Sequence, residues 1–267
     1  MKGLTLCADD YAMSPEVSQG ILALARAGRL TAISCMTDSP RWAEDGLLLK
    51  ELPDRVDIGL HLNFTEALGD ATPTRPLSQL MLHCWLRKLD PAQVRASIVR
   101  QWQRFVEVTG HAPHFVDGHQ HVHQFPQIRD ALLSVLREYR FSGWVRSLEG
   151  MQSTPGMGIK TLALRLLGAF TLASRCRDAG IQTNRYFGGV YDFSPQADYR
   201  ALMQGWLERA PDGTLLMCHP ARAGAGDSIA AARVRELDYF QSPDFVSDCE
   251  QRAVQLIRIT ETAYAQA

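Results

Sequence analysis

Two adjacent carboxylates, Asp9 and Asp10, stand where an apolar run ends in the segment GLTLCADDYAMSPEV (3–17). Side-by-side carboxylates repel, and such a pair at a strand end calls for a cation or a shared proton. Other polar residues fall at the ends of later apolar runs. His61 closes VDIGLHL (56–62), and Asp117 and His119 lie in HFVDGHQHVH (114–123), followed by His121 and His123. Arg146 sits near the end of GWVRS (143–147), and His219 ends TLLMCH (214–219). Five of the eight histidines occupy such positions, more than scatter would place there.

Carboxylate and imidazole together form a mixed oxygen and nitrogen donor set suited to a divalent metal. Three protein ligands with one position open is the catalytic pattern, because the open position takes water. Asp10, His61 and His119 are the expected ligands of one divalent ion, zinc or magnesium, with two imidazoles favouring the zinc side. Asp9 is then placed to take a proton from the bound water, and His219 to protonate a leaving amine. Asp117 either fixes the tautomer of a ligating imidazole or helps turn the chain at Gly118. His121, His123 and Arg146 read as substrate contacts or as supports behind the ligands. Each residue also has a plainer reading. One aspartate alone would cap the next helix, His61 alone would be a core histidine, and Arg146 alone an ion-pair partner. HQHVH (119–123) reads as a metal signal, since alternate residues of an extended segment share a face, with one or two of its histidines as ligands and the others behind them or on substrate. His83, His111 and His114 read as ordinary, and the five tryptophans, Trp85 included, as packing residues.

The elements that must position these groups alternate along the chain. Strands are expected at 4–8, 32–36, 56–62, 114–117, 143–147 and 214–219. Helices are expected at 15–27, 42–51, 92–109, 127–139, 159–178, 197–209 and 246–264, and the stretches 69–79, 151–158 and 220–228 read as loops. This alternation implies a single α/β domain over 1–267 with mainly parallel strands, whose strand ends gather the polar residues on one rim. The net charge is −1, which gives no support to nucleic acid or an anionic membrane as a partner. No run is long and apolar enough to span a bilayer, no signal segment precedes the first strand, and the six cysteines form no CxxC pair. A cytoplasmic protein with reduced thiols is the expectation, and barrels of this size commonly form homodimers.

In series, these motifs resemble the YdjC-like (ChbG/HpnK) carbohydrate deacetylases. The matching stretches are ADDYAMSPEV (8–17), GLHLN (59–63), HFVDGHQHVHQFPQI (114–128), VR (145–146) and MCHPA (217–221). The resemblance implies a distorted (β/α) barrel, a divalent metal and removal of an N-acetyl group from an acetylated amino sugar. It carries the metal roles to Asp10, His61 and His119, and suggests Asp9 as base and His219 as acid. One departure is that the family's Phe-Gly after the acidic pair is Tyr11-Ala12 here. If that glycine takes a positive φ, Ala12 strains or reshapes the loop. The stretches 150–213 and beyond 221 show little likeness and are expected to hold substrate specificity. A metal-dependent amidohydrolase or phosphoesterase is the enzymatic rival, although those often carry a His-x-His pair on the first strand. A non-catalytic metal- or sugar-binding protein is the rival outside enzymes.

Overall fold

The computed structural model describes residues 1–69, 74–152 and 168–261. Strands β1 (Lys2–Tyr11), β2 (Ala32–Cys35), β3 (Asp57–Leu62), β4 (Phe115–Gly118), β5 (Trp144–Val145), β6 (Gln182–Thr183), β7 (Tyr186–Gly188) and β8 (Thr214–Cys218) pair in parallel, in the order β6-β5-β4-β3-β2-β1-β8-β7. β6 and β7 lie at opposite ends of that order, yet only Asn184 and Arg185 separate them in the chain. One bent segment therefore pairs with β5 through its first half and with β8 through its second, curling the sheet into a distorted (β/α) barrel. β9 (Val254–Leu256) joins β1 at Lys2–Leu4, below the point where β2 begins its pairing at Cys7.

The connections are α1 (Pro15–Arg26), α2 (Trp42–Leu48), α3 (Leu77–Trp85), α4 (Pro91–Thr109), α5 (Ile128–Glu138), α6 (Phe170–Asp178), α7 (Tyr199–Arg209), α8 (Ala230–Gln241) and α9 (Pro243–Gln251). Local chemistry sets several of their ends. Ser14 caps α1 by accepting from Val17 N at 3.3 Å, and Gly110 ends α4 at φ 84°. Val94, Ile98, Trp102 and Phe105 form the buried stripe of α4. Inside the barrel, Cys7, Ala32, Phe115, Trp144, Phe187, Leu215 and Met217 pack together. Phe115 and Trp144 stack there with centroids 4.2 Å apart. A Cβ on Gly59 would stand 2.4 Å from the Phe115 ring, so this ring fills the barrel only beside a glycine.

The structure departs from the expected elements in four places. The helix expected over 246–264 stops at Gln251, because the chain turns at Ala253 (φ 52°) and enters β9. A strand whose partner lies some 250 residues away leaves no local signal. The loop expected at 69–79 gives way to α3 from Leu77, and α8 forms where no element was expected. The bent pair β6 and β7 is too short for a periodicity to register. Residues 153–167, which hold most of the loop expected at 151–158 and the start of the helix expected at 159–178, lie outside the described residues, while α6 fulfils the end of that helix. Trp42, Trp102, Trp144 and Trp206 are buried as expected, whereas Trp85 is half exposed on α3. All six cysteines are buried and free. Among the described residues, no helix is long and apolar enough to cross a membrane.

Candidate active site and metal centre

The C-terminal strand ends bring Asp9, Asp10, His61, Asp117, His119, Arg146 and His219 together. A β-bulge makes the acidic pair usable. β1 pairs Ala8 with Ile33 and Tyr11 with Cys35, so Asp9 and Asp10 stand opposite Ser34 alone. In a regular strand, neighbouring side chains point to opposite faces, whereas here both carboxylates reach the rim. The bulge holds Asp10 at φ 71° and Ala12 at φ 70°, so position 12 does take the left-handed conformation that suits glycine. Aspartate tolerates this conformation better than most residues.

The two carboxylates have different partners. Both Asp9 oxygens accept from Arg146, at 2.6 Å each, and the same guanidinium lies 2.5 Å from Asp117 Oδ2 and 3.1 Å from Cys7 Sγ. Burial alone would raise the proton affinity of Asp9, but Arg146 outweighs it and holds the carboxyl far below its usual range. Asp10 Oδ2 accepts from Arg233 at 2.6 Å, and Oδ1 turns toward two imidazoles. His119 Nδ1 lies 2.8 Å and His61 Nε2 3.3 Å from that oxygen. Burial opposes the charge on Asp10, yet His119 and Arg233 keep it well below the usual carboxylate range.

Each imidazole is held by a carboxylate on its other nitrogen. His61 Nδ1 lies 2.6 Å from Asp117 Oδ1, with the Ser34 hydroxyl 2.9 Å from the same nitrogen and also donating to Asp117. His119 Nε2 lies 3.4 Å from Glu66 Oε1. Both arrangements leave one nitrogen of each ring facing Asp10. One ligand atom from each of Asp10, His61 and His119 lies within 4.8 Å of the others. Burial disfavours a proton on His61, but Asp117 and Asp10 outweigh it and raise that ring to about 10. So high an affinity reports surplus negative charge, which a divalent ion would take up in place of the proton. The donor set and its charge therefore fit a metal. Cys7, Asp9 and Asp117 form a second group of possible donors, but the Arg146 guanidinium already serves as its cation.

The HQHVH segment is not extended. It winds as a short 3₁₀ turn in which Gln120 (φ 52°) and His121 (φ 60°) are left-handed. The shared-face expectation for its histidines therefore fails, and the three part ways. His119 meets Asp10. His121 lines the cavity against Phe187, its proton affinity pushed well down, first by burial and then by Arg146. His123 lies behind the site with its Nε2 2.9 Å from the Arg146 carbonyl, lowered to about 4 by burial. His114 sits at the far end of the strands and accepts from Ile58 N at 2.9 Å.

A cavity of about 630 Å³ opens over the rim. Asp9, Asp10, His61, His119 and His219 stand on its floor, while Leu68, Leu77, Val190, Phe193, Met217 and Ile229 supply apolar wall. His219 Nε2 lies 4.0 Å from Asp9 Oδ2, and burial lowers His219 to about 4. Glu66, Ser34, Arg233 and Glu236 also support the site, although none of them is among the expected residues. A signal for the last two lay in α8. Its buried stripe, Ala232, Arg233, Glu236, Leu237 and Phe240, carries two charges at positions where apolar residues belong.

Comparison with known proteins places the chain in a family. A carbohydrate deacetylase of Danio rerio is 30% identical over 152 residues, 51% of this chain and 47% of the relative. A chitooligosaccharide deacetylase of Proteus mirabilis (strain HI4320) is 33% identical over 135 residues, 47% of this chain and 51% of the relative. The chain thus spans about half the length of these curated relatives. A chitooligosaccharide deacetylase of Salmonella schwarzengrund (strain CVM19633) is 23% identical over 231 residues, 82% of this chain and 81% of the relative. In fold, a crystal structure of an Enterococcus faecalis V583 protein assigned to cellobiose-phosphate cleavage matches with a TM-score of 0.71. It is 19% identical, and the match covers 96% of this chain and 97% of that one. The family model described as YdjC-like protein matches residues 3–251, which include every rim residue named above, and the chain belongs to that family.

Proposed function

We propose that this protein is a metal-dependent carbohydrate deacetylase that hydrolyses the N-acetyl group of an amino sugar. The observation that carries the reading is the division of labour on the cavity floor. A three-donor cluster stands beside an ionised carboxylate that is not part of it, and an imidazole lies 4.0 Å from that carboxylate. The names of the relatives, carbohydrate and chitooligosaccharide deacetylase, support the same substrate class. Asp10, His61 and His119 would hold the ion, and two imidazoles favour zinc over magnesium. When bound, the ion supplies Lewis acidity that polarises the acetyl carbonyl and makes water more acidic.

The chain's own residues supply the rest. Arg146 keeps Asp9 ionised and aimed by two hydrogen bonds, so Asp9 is ready to accept the proton of the attacking water. His219 enters neutral and stands 4.0 Å from Asp9, close enough to receive that proton after a small movement and pass it to the departing sugar nitrogen. The proton count then closes without a group from outside the site. The six unpaired cysteines support a cytoplasmic place of action.

The test is acetate release from a panel of N-acetylated amino sugars and chitooligosaccharides, before and after chelation and after zinc is restored. Release that a chelator abolishes and zinc recovers is the expected result. Turnover of phosphomonoesters or cyclic amides with no acetate release from any sugar would replace this reading with the metal hydrolase rival.

A further inference from the structure

We propose that Glu236 is a positioning residue that aims His219 through its main chain; the inference rests on the deacetylase reading above. A catalytic imidazole is commonly oriented by a hydrogen bond from a third group to its second ring nitrogen. His219 is built differently. Its Nδ1 is buried with no hydrogen-bond partner among the described residues, and its Nε2 faces Asp9 at 4.0 Å. Something other than a ring hydrogen bond must fix its direction.

That fixing comes from α8, on the outside of the barrel end. Glu236, fully buried, accepts the His219 backbone N–H on Oε2 at 2.5 Å. Arg233, one helical turn earlier, reaches the His219 carbonyl at 3.4 Å. The peptide groups on both sides of His219 are therefore gripped by one helix face. Glu236 Oε1 accepts the Tyr191 hydroxyl at 2.6 Å. The Tyr191 ring packs on Phe193 with centroids 4.5 Å apart, and Phe193 meets the His219 imidazole edge to face at 5.3 Å. The contacts form a closed circuit: Glu236 to the His219 backbone, the His219 ring to Phe193, Phe193 to Tyr191, and Tyr191 back to Glu236. Phe193 is held in the left-handed region (φ 59°), a strained conformation for an aromatic residue. Strain of this kind persists only where surrounding contacts over-determine it, as this circuit does. One carboxylate thus sets both the backbone from which the imidazole springs and the ring against which it leans. Its two bonds go to neutral donors and neither goes to an ion-pair partner. Direction, and not charge, is what Glu236 supplies.

The test uses the full-length chain, with di-N-acetylchitobiose as substrate and zinc binding measured by calorimetry. Glu236→Ala is expected to lower kcat about 10–100-fold while KM and zinc affinity stay within about threefold, because only the aim of His219 is lost. Glu236→Gln keeps an amide oxygen for the His219 N–H and is expected to retain kcat within about threefold. Tyr191→Phe removes one of the two bonds that hold Glu236 and is expected to lower kcat by less than Glu236→Ala does. Normal kcat in Glu236→Ala, or Glu236→Gln as impaired as Glu236→Ala, overturns the inference and leaves the deacetylase reading intact. If Glu236→Ala does not fold, normal kcat in Tyr191→Phe overturns it instead. No acetate from the unaltered protein overturns both.

Discussion

Asp9 and Asp10 are neighbours in the chain and opposites in their surroundings. Asp9 is saturated by a guanidinium from within the protein, which is also bound to Asp117. Asp10 has a guanidinium on one oxygen only and turns the other toward two imidazoles. One carboxylate has both oxygens occupied by a cation of the fold, and the other keeps an oxygen that, in the proposed reading, is free to meet a cation from outside. Glu236 is a third case. It is as buried as the two aspartates, but its hydrogen-bond donors are neutral. Its proton affinity moves the opposite way, raised to about 7 by burial while Asp9 and Asp10 are lowered. Equal burial with opposite shifts teaches that the partner, not depth, sets the charge state of each acid.

The comparison breaks most visibly at Asp9. Asp9→Asn should lower kcat about 10²–10⁴-fold while zinc stoichiometry stays at that of the parent, as the proposed mechanism requires of a base that is not a ligand. A variant that loses its zinc together with its turnover would merge the two carboxylates into one role. Arg146→Met strips Asp9 and Asp117 of their shared cation and should cost about 3–5 kcal/mol in urea unfolding, because it leaves buried charge unpaired. A cost below about 1 kcal/mol would show that the Arg146 cluster finds its cation elsewhere.

Glu236 sharpens the contrast through pH. Its proton affinity is higher in the folded than in the unfolded chain, so its contribution to stability declines as pH rises from about 4.5 through about 7. Glu236→Gln should abolish that decline and gain up to about 3 kcal/mol over the parent by pH 8, with no gain at pH 4. Paired melts at the two pH values measure it, and an equal difference at both would overturn the assignment. The smallest effect concerns the bulge that separates the two aspartates. Ala12→Gly should relieve the left-handed strain at φ 70° and stabilise the fold by up to about 1 kcal/mol, after the greater unfolded-state entropy of glycine is set against it. A loss of stability in that variant would mean that the Ala12 methyl contributes more through packing than it costs through strain.

The residue types at the strand ends were legible in the amino-acid order alone. So were the alternation that makes a parallel barrel, the grouping of Asp10 with His61 and His119, and the strain question at position 12. These follow from local rules: apolar periodicity marks elements, and polar residues at the ends of parallel strands share a rim. The wound backbone that carries His119, His121 and His123 was not legible, because two left-handed residues replace the extended geometry that spacing assumes. Nor were β9, the bent β6–β7 segment, or the Arg233 and Glu236 contributions of α8. Their partners lie far away in the chain, and a buried charge becomes intelligible only beside the group it meets. The sequence chose which donors arrive at the rim. The tertiary structure decided which carboxylate has both oxygens held by one guanidinium and which turns an oxygen toward two imidazoles, because that depends on distances between side chains that the chain order does not contain.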